Sequence, residues 1–307
     1  MTTPIAHNVR RPLTLTDDLI FGDLPAELAA ASFGTSPDGG TGLESLADGV
    51  GAFFAESGAS WNLTGQPLGT WAHFLAFPEG HSAAPPNIES IGIDDENPLR
   101  IQVQGAPAIA QAQEDGTNIV LFGPVDGWMF TVTSSGMTLA DTKGFANTVG
   151  VDGGLPTISD TTILGSMHWI GDVRDYRVAL GTLFQAVSSA GHEPGIASVH
   201  YGGFRLNAVP NGAVYSLVSQ PVVSESVLPM LQFISGGYPG PAVHGQPAIA
   251  ASDMPNAFGD GNGPTSSVVG WVEGGRLIIV AGPDDVGDTL ALAITLSALL
   301  HVLAFLL

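Results

Sequence analysis

Eight histidines, 29 carboxylates and no cysteine are the side chains from which this chain could build a reactive centre. The histidines are His7, His73, His81, His168, His192, His200, His244 and His301. No two stand in an H-x-x-x-H or H-E-x-x-H spacing, which would put paired imidazoles on one helical face. His192 and Glu193 are adjacent, but Pro194 follows at once and breaks any helix there. The absence of cysteine excludes disulfides, thiolate zinc sites and cysteine nucleophiles. No G-x-S-x-G elbow occurs, and Gly165-Ser166 and Ser134-Ser135 read as turn residues. Gly259-Asp260-Gly261 and Gly261-Asn262-Gly263 neither follow a strand nor open a helix, as a phosphate loop must.

Two acidic loops offer oxygen donors to a hard cation: Asp94-Asp95-Glu96-Asn97, and Asp253 with Asp260-Gly261-Asn262. Counting twelve from Asp260 lands on Trp271, where an EF-hand loop needs glutamate, so solvated turns are expected. Asp284-Asp285 suits the start of a final helix, where carboxylates complement the dipole. No catalytic, cofactor-binding or metal-ligating residue is therefore assigned, and the expected protein is not an enzyme. A hydrolase stays open as an alternative, on condition that Ser, His and Asp converge in a cleft.

The aromatics suggest binding instead. Trp61, Trp71, Trp128, Trp169 and Trp271, with 14 phenylalanines, either fill a core or line a groove between sheet and helix. Trp128, Trp271 and Arg276 are the candidate groove residues. With 8 basic residues against the 29 acidic ones, and Lys143 the only lysine, a net charge of −21 excludes nucleic acid and anionic lipid headgroups as partners. The expected partner is a protein or a small ligand.

The elements that position these residues emerge when the chain is compared with itself. Val103-Gln104-Gly105-Ala106-Pro107-Ala108-Ile109-Ala110 recurs as Val243-His244-Gly245-Gln246-Pro247-Ala248-Ile249-Ala250, six of eight positions identical at an offset of 140. After the first copy, the apolar runs 118–122 and 128–132 flank a Gly-containing turn, and a helical pattern covers 138–149. After the second copy, 267–271 and 276–280 flank Glu273-Gly274-Gly275, and a helical pattern begins near Val286. Upstream, Leu15–Gly22 resembles Ile158–Gly165 at an offset of 143. The expected fold is α+β: two tandem modules, 1–150 and 151–307, each an antiparallel sheet with a closing C-terminal helix. Residues 150–156 read as the linker between them, and 36–42 and 258–264 as exposed loops.

The order of G-x-P-A, tryptophan-bearing hairpin and closing helix resembles a module of unassigned function. It is found on the extracytoplasmic ends of actinobacterial anti-sigma factors and in cell-envelope lipoproteins. The residues that carry the resemblance are Gly105, Pro107, Ala108 and Trp128, then Gly245, Pro247, Ala248 and Trp271 with Glu273-Gly274-Gly275-Arg276-Leu277. It implies a non-enzymatic binding or sensing role in the cell envelope. The first 35 residues carry no signal-peptide pattern, and no lipobox cysteine or membrane span precedes the first copy.

Leu290–Leu307 has no formal charge and, as a helix, would reach about 27 Å at ~1.5 Å per residue. Two readings stand: a membrane-contacting tail, or a helix packed on its own sheet or in a homo-oligomer. The latter makes a structural or assembly role the second alternative.

Overall fold

The computed structural model describes residues 13–16, 19–21, 30–35, 46–61, 67–85, 99–188, 197–201, 215–222, 224–254, 266–282 and 286–294. The chain is mixed α+β with antiparallel sheets, and it divides into two compact units. The first unit is Gly42–Arg177 with Phe233–Gly236; the second is Met1–Thr41, Val178–Gln232 and Gly237–Leu307.

The first unit is built on β4 (Val50–Ala55), β5 (Trp71–Pro78), β6 (Leu99–Val103), β7 (Ala106–Ala112), β8 (Thr117–Val125), β9 (Trp128–Ser135) and β12 (His168–Asp172). Their order across the sheet is β12-β4-β5-β9-β8-β7-β6. One face carries Ala52, Phe54, Ala72, Phe74, Val120, Phe122, Phe130 and Val132, alternate residues that the two-residue period of a strand sends to the same side. Helix α1 (Leu139–Ala146) packs Phe145 and Ala146 onto that face. Thr138 starts the helix: its hydroxyl accepts from the Asp141 amide at 3.1 Å and donates to the Asp141 carboxylate at 2.7 Å. A buried hydroxyl pair, Ser134 with Thr142 at 2.6 Å, ties helix to sheet.

The second unit is built on β3 (Ala30–Thr35), β13 (Ala197–Tyr201), β14 (Tyr215–Pro221), β15 (Tyr238–Val243), β16 (Gln246–Met254), β17 (Ser266–Glu273) and β18 (Arg276–Gly282). Their order is β15-β16-β17-β18-β14-β13-β3. Val269, Trp271, Ile278, Val280, Ala248 and Ala250 form its core with Leu292 and Ala293, from helical backbone over 286–294. Here too a buried hydroxyl pair joins helix and sheet, Ser267 with Thr289 at 2.7 Å.

Turn chemistry sets the registers. The G-x-P-A segment proves to be a two-residue hairpin in both places. Val103 pairs with Ala106 around Gln104 (φ 51) and Gly105 (φ 78); Val243 pairs with Gln246 around His244 (φ 55) and Gly245 (φ 75). Two successive positive φ values are the primed turn whose twist matches the flanking strands. Asp126-Gly127 and Gly274-Gly275 close β8–β9 and β17–β18 in the same way.

Gln104 has a second task. Its side-chain amide donates to the Ala146 and Val149 carbonyls at 2.9 and 2.7 Å, serving the C-terminal end of α1. His244, at the matching turn position, lies 3.3 Å from the Ile294 carbonyl through Nε2. Gln104→Asn keeps a residue tolerant of positive φ but shortens the reach. It is expected to cost about 1–3 kcal/mol in urea unfolding, the penalty for stranded buried carbonyls. A change within about 0.5 kcal/mol, typical of inert surface sites, would remove the capping role.

Three features differ from the sequence reading. Residues 150–156 are no linker: β10 (Val149–Asp152) and β11 (Leu155–Ile158) form a hairpin around Gly153 and Gly154, both at positive φ. Glycines there make a tight turn that serves pairing, not a flexible spacer. The chain passes from one unit to the other near 41, 177, 232 and 236, where a single boundary at 150 was read, and β12 pairs with β4 and carries residues up to Asp172 into the first sheet. Two further helices also stand in the second half, α2 (Val173–Ser188) and α3 (Val227–Ser235). Residues 36–42, 258–264 and 295–307 lie outside the described residues, and with them both expected loops and most of the apolar tail. Among the described residues no helix is long and apolar enough to cross a membrane. A further hairpin, β1 (Leu13–Thr16) with β2 (Leu19–Phe21), precedes β3.

Candidate functional site

The face of the first sheet opposite α1 gathers the concentration of aromatic and polar groups best suited to binding. β4 and β5 pair with Phe53 opposite His73, and Trp71 sits two residues from His73 on the same face. His73 stacks on Phe53 (ring centroids 4.7 Å, 26°) and on Trp71 (5.7 Å, 8°). Trp61 lies 5.7 Å from His73 and 5.8 Å from Tyr176, and Tyr176 stacks on Phe53 at 5.1 Å. Phe233 closes the group edge-on against Trp71 at 5.5 Å. Backbone bonds hold the contributors in place: Ser60 and Leu68 exchange two at 2.9 Å, and the Trp61 amide donates to the Phe233 carbonyl at 2.9 Å.

Inside this cluster three polar atoms have no protein hydrogen-bond partner: Ser60 Oγ, Trp71 Nε1 and His73 Nδ1. All three residues are buried, Trp71 completely and the other two at 4% exposure. A buried donor or acceptor left unmatched costs about 1–3 kcal/mol, so these atoms are the polar groups of this unit with most to gain from a ligand. Desolvation pushes the His73 imidazole down to about 4, so it is neutral at pH 7, with one nitrogen a donor and the other an acceptor. Burial also raises the Tyr176 phenol and keeps it protonated. The site therefore presents uncharged hydrogen-bonding groups among rings, which suits a neutral polar or aromatic ligand.

The groove residues read from sequence fall in different units. Trp128 belongs to the first unit, half-buried against its core at the start of β9. Trp271 and Arg276 belong to the second. Trp271 is 1% exposed and donates from Nε1 to Glu273 at 3.0 Å. Arg276 donates from Nε to the Ser219 hydroxyl at 2.8 Å, fastening β18 to β14. Glu273 also lies 3.6 Å from His244 Nδ1, so these groups form a polar clasp between hairpin ends and helix end. His81 lies 3.6 Å from Asp48 and accepts from the Ala83 amide, and Ser166 donates to Glu56, whose carboxyl that hydroxyl holds below its ordinary range.

Among the described residues no group of three or more His, Asp or Glu is placed to hold a metal ion. Asp94–Asn97 and Asp260–Asn262 lie outside those residues; Asp253 is described, at a positive φ of 58°.

The Ser60–Trp71–His73 cluster escaped the sequence reading. Its signal was the stretch Trp71-Ala72-His73-Phe74, where alternation puts the large ring and the imidazole on one face and alanine and phenylalanine on the other. Comparison with protein-family models, with curated proteins and with solved structures finds no match to this chain.

Proposed function

We propose that this chain is a non-enzymatic binding or sensing protein of the cell envelope, built from a duplicated α+β module. The trio of unmatched polar atoms at Ser60, Trp71 and His73 carries the binding part of this reading. Duplication is supported by the six-of-eight sequence match and by the like order of the two sheets. The Gln104 and His244 contacts to helix-end carbonyls, and the two hydroxyl pairs, add to it. The envelope location rests on the resemblance to anti-sigma and lipoprotein modules.

The test is a thermal-shift screen of the full chain against small neutral hydrogen-bonding and aromatic compounds. Trp71→Phe serves as comparator: it removes the Nε1 donor, and the smaller ring also leaves a cavity at this fully buried position. A ligand seated here raises Tm in the parent, and the variant binds it about 5–30-fold more weakly, as expected for one lost buried hydrogen bond of about 1–2 kcal/mol. If no compound shifts the parent while Trp71→Phe is the more stable protein, the cluster is packing alone and the binding reading fails.

A further inference from the structure

Each sheet takes its outer strand from the opposite part of the sequence. β12 lies beside β4, with His168 opposite Ala55 and Asp172 opposite Ala52. β3 lies beside β13, with Thr35 opposite Ala197 and Ala30 opposite Tyr201. Were each half closed on itself, β3 would pair with β4, the next strand in the chain, and β12 with β13.

The surrounding order is the same in both cases. A hairpin (β1–β2 or β10–β11) precedes the donated strand, and β4 or β13 follows it in sequence. From that outer strand inward, β12-β4-β5-β9-β8-β7-β6 matches β3-β13-β14-β18-β17-β16-β15 place for place. The donated strand occupies the first place each time. The interleaved composition of the two units follows directly, since 1–41 goes with the later half and 151–177 with the earlier one.

Resting on the two-module reading, we infer that the chain is a reciprocally strand-exchanged pair, and that these strand positions recruit a second copy of the same chain. An outer place on β4 or β13 is a row of backbone N–H and C=O groups that requires an antiparallel strand. The groups satisfied are identical whether the donor belongs to the same chain or to another. Only chain entropy and charge separate the two outcomes. Linkage within one chain acts as an effective concentration on the order of millimolar, so the monomer dominates in dilute solution. The net charge of −21 repels a second copy, and salt screens that repulsion. Dimers therefore form when the protein refolds at high concentration and high salt, and they persist on dilution because separation requires a whole strand to unpair.

The chain has no cysteine, so introduced pairs report strand pairing without background. Ala55→Cys with His168→Cys reads β4–β12, Ser32→Cys with His200→Cys reads β3–β13, and Thr35→Cys with Val50→Cys, at the matching register of β3 against β4, reads the unexchanged arrangement. The first two pairs are expected to oxidise within monomers, and the third is not. Reduced protein unfolded and refolded at hundreds of micromolar in high salt, an order-of-magnitude choice below the intrachain effective concentration, should yield dimer in proportion to its concentration. Its 55–168 or 32–200 crosslinks should then run between chains. Protein locked by both disulfides before unfolding should yield none. Absence of dimer from the reduced protein, or equal dimer from the locked protein, overturns recruitment of a second copy. A 35–50 crosslink overturns the exchange and leaves the two-module reading intact. A crosslink at 55–168 without one at 32–200 removes the reciprocity, and the two-module reading falls with it.

Discussion

Replacing His73 with phenylalanine is expected to flatten the acid limb of the protein's stability profile. The imidazole is 4% exposed between Phe53 and Trp71, and desolvation holds its folded pKa at about 4 against an ordinary 6.5. A base depressed in the folded state contributes fully above the unfolded value. As pH falls from 6.5 toward 4, the unfolded chain takes up a proton that the folded chain refuses, and stability drops through that window. Below about 4 both states are protonated and the loss stops growing. At 1.36 kcal/mol per pH unit, the full loss is about 3 kcal/mol. Phenylalanine fills nearly the same volume between the same rings and cannot be protonated, so His73→Phe should lack this limb.

Urea midpoints at pH 7.5 and 4.5 for parent and variant make the comparison. Asp115 and Asp160 lose their own contributions only at lower pH, because the hydroxyls of Thr117 and Thr162 hold those carboxyls below the ordinary range. They act alike in both proteins, so the difference between the curves isolates His73. Curves of equal slope between pH 6.5 and 4 would mean that the imidazole reaches solvent, and the buried-cluster reading would be lost.

What the sequence disclosed and what it withheld divide along the distance between interacting residues. Hairpins were legible because their turns are local: Asp126-Gly127 and Gly274-Gly275 sit between β-branched and aromatic runs, and only such residues take successive positive φ values cheaply. Closing helix α1 was legible from Leu139, Thr142, Phe145 and Ala146, though the structure ends it at Ala146, three residues before the periodicity stops. Val149 fits the helical face equally well, but the pairing of Val149 with Ile158 takes it into β10. Gly153-Gly154 shows a local signal with two meanings, since the glycines of a linker and of a primed turn look alike until the strands beside them pair.

Helix α2 was also within reach. Asp172 and Asp175 form a reciprocal cap, with the Asp175 amide donating to Asp172 at 3.1 Å and the Asp172 amide to Asp175 at 3.2 Å. Val173, Tyr176, Ala179, Leu180 and Leu183 then recur at helical spacing and are buried. By contrast, nothing local to β12 states that its partner is β4, more than a hundred residues earlier in the chain. The His73 cluster is withheld for the same reason: Phe53, Trp61, Tyr176 and Phe233 reach it from four separate stretches of chain.

Trp271 decides between two uses of the hairpin tryptophans, groove or core. A groove residue truncated to alanine loses ligand and keeps the fold; a core residue does the reverse. Trp271 is 1% exposed among Val269, Ile278, Val280 and Leu292, so Trp271→Ala is expected to cost about 3–5 kcal/mol. That penalty is a large share of the total for a domain with only ~5–15 kcal/mol to lose. The Glu273 carboxylate would also lose its indole donor and the His244 contact its anchor, loosening the clasp at the helix end. Trp128→Ala, half-buried at a strand start, should cost under half as much. Chemical unfolding of the two variants beside the parent measures both. Near-equal, small losses would return Trp271 to the groove reading; the expected inequality makes it the pillar of the second core.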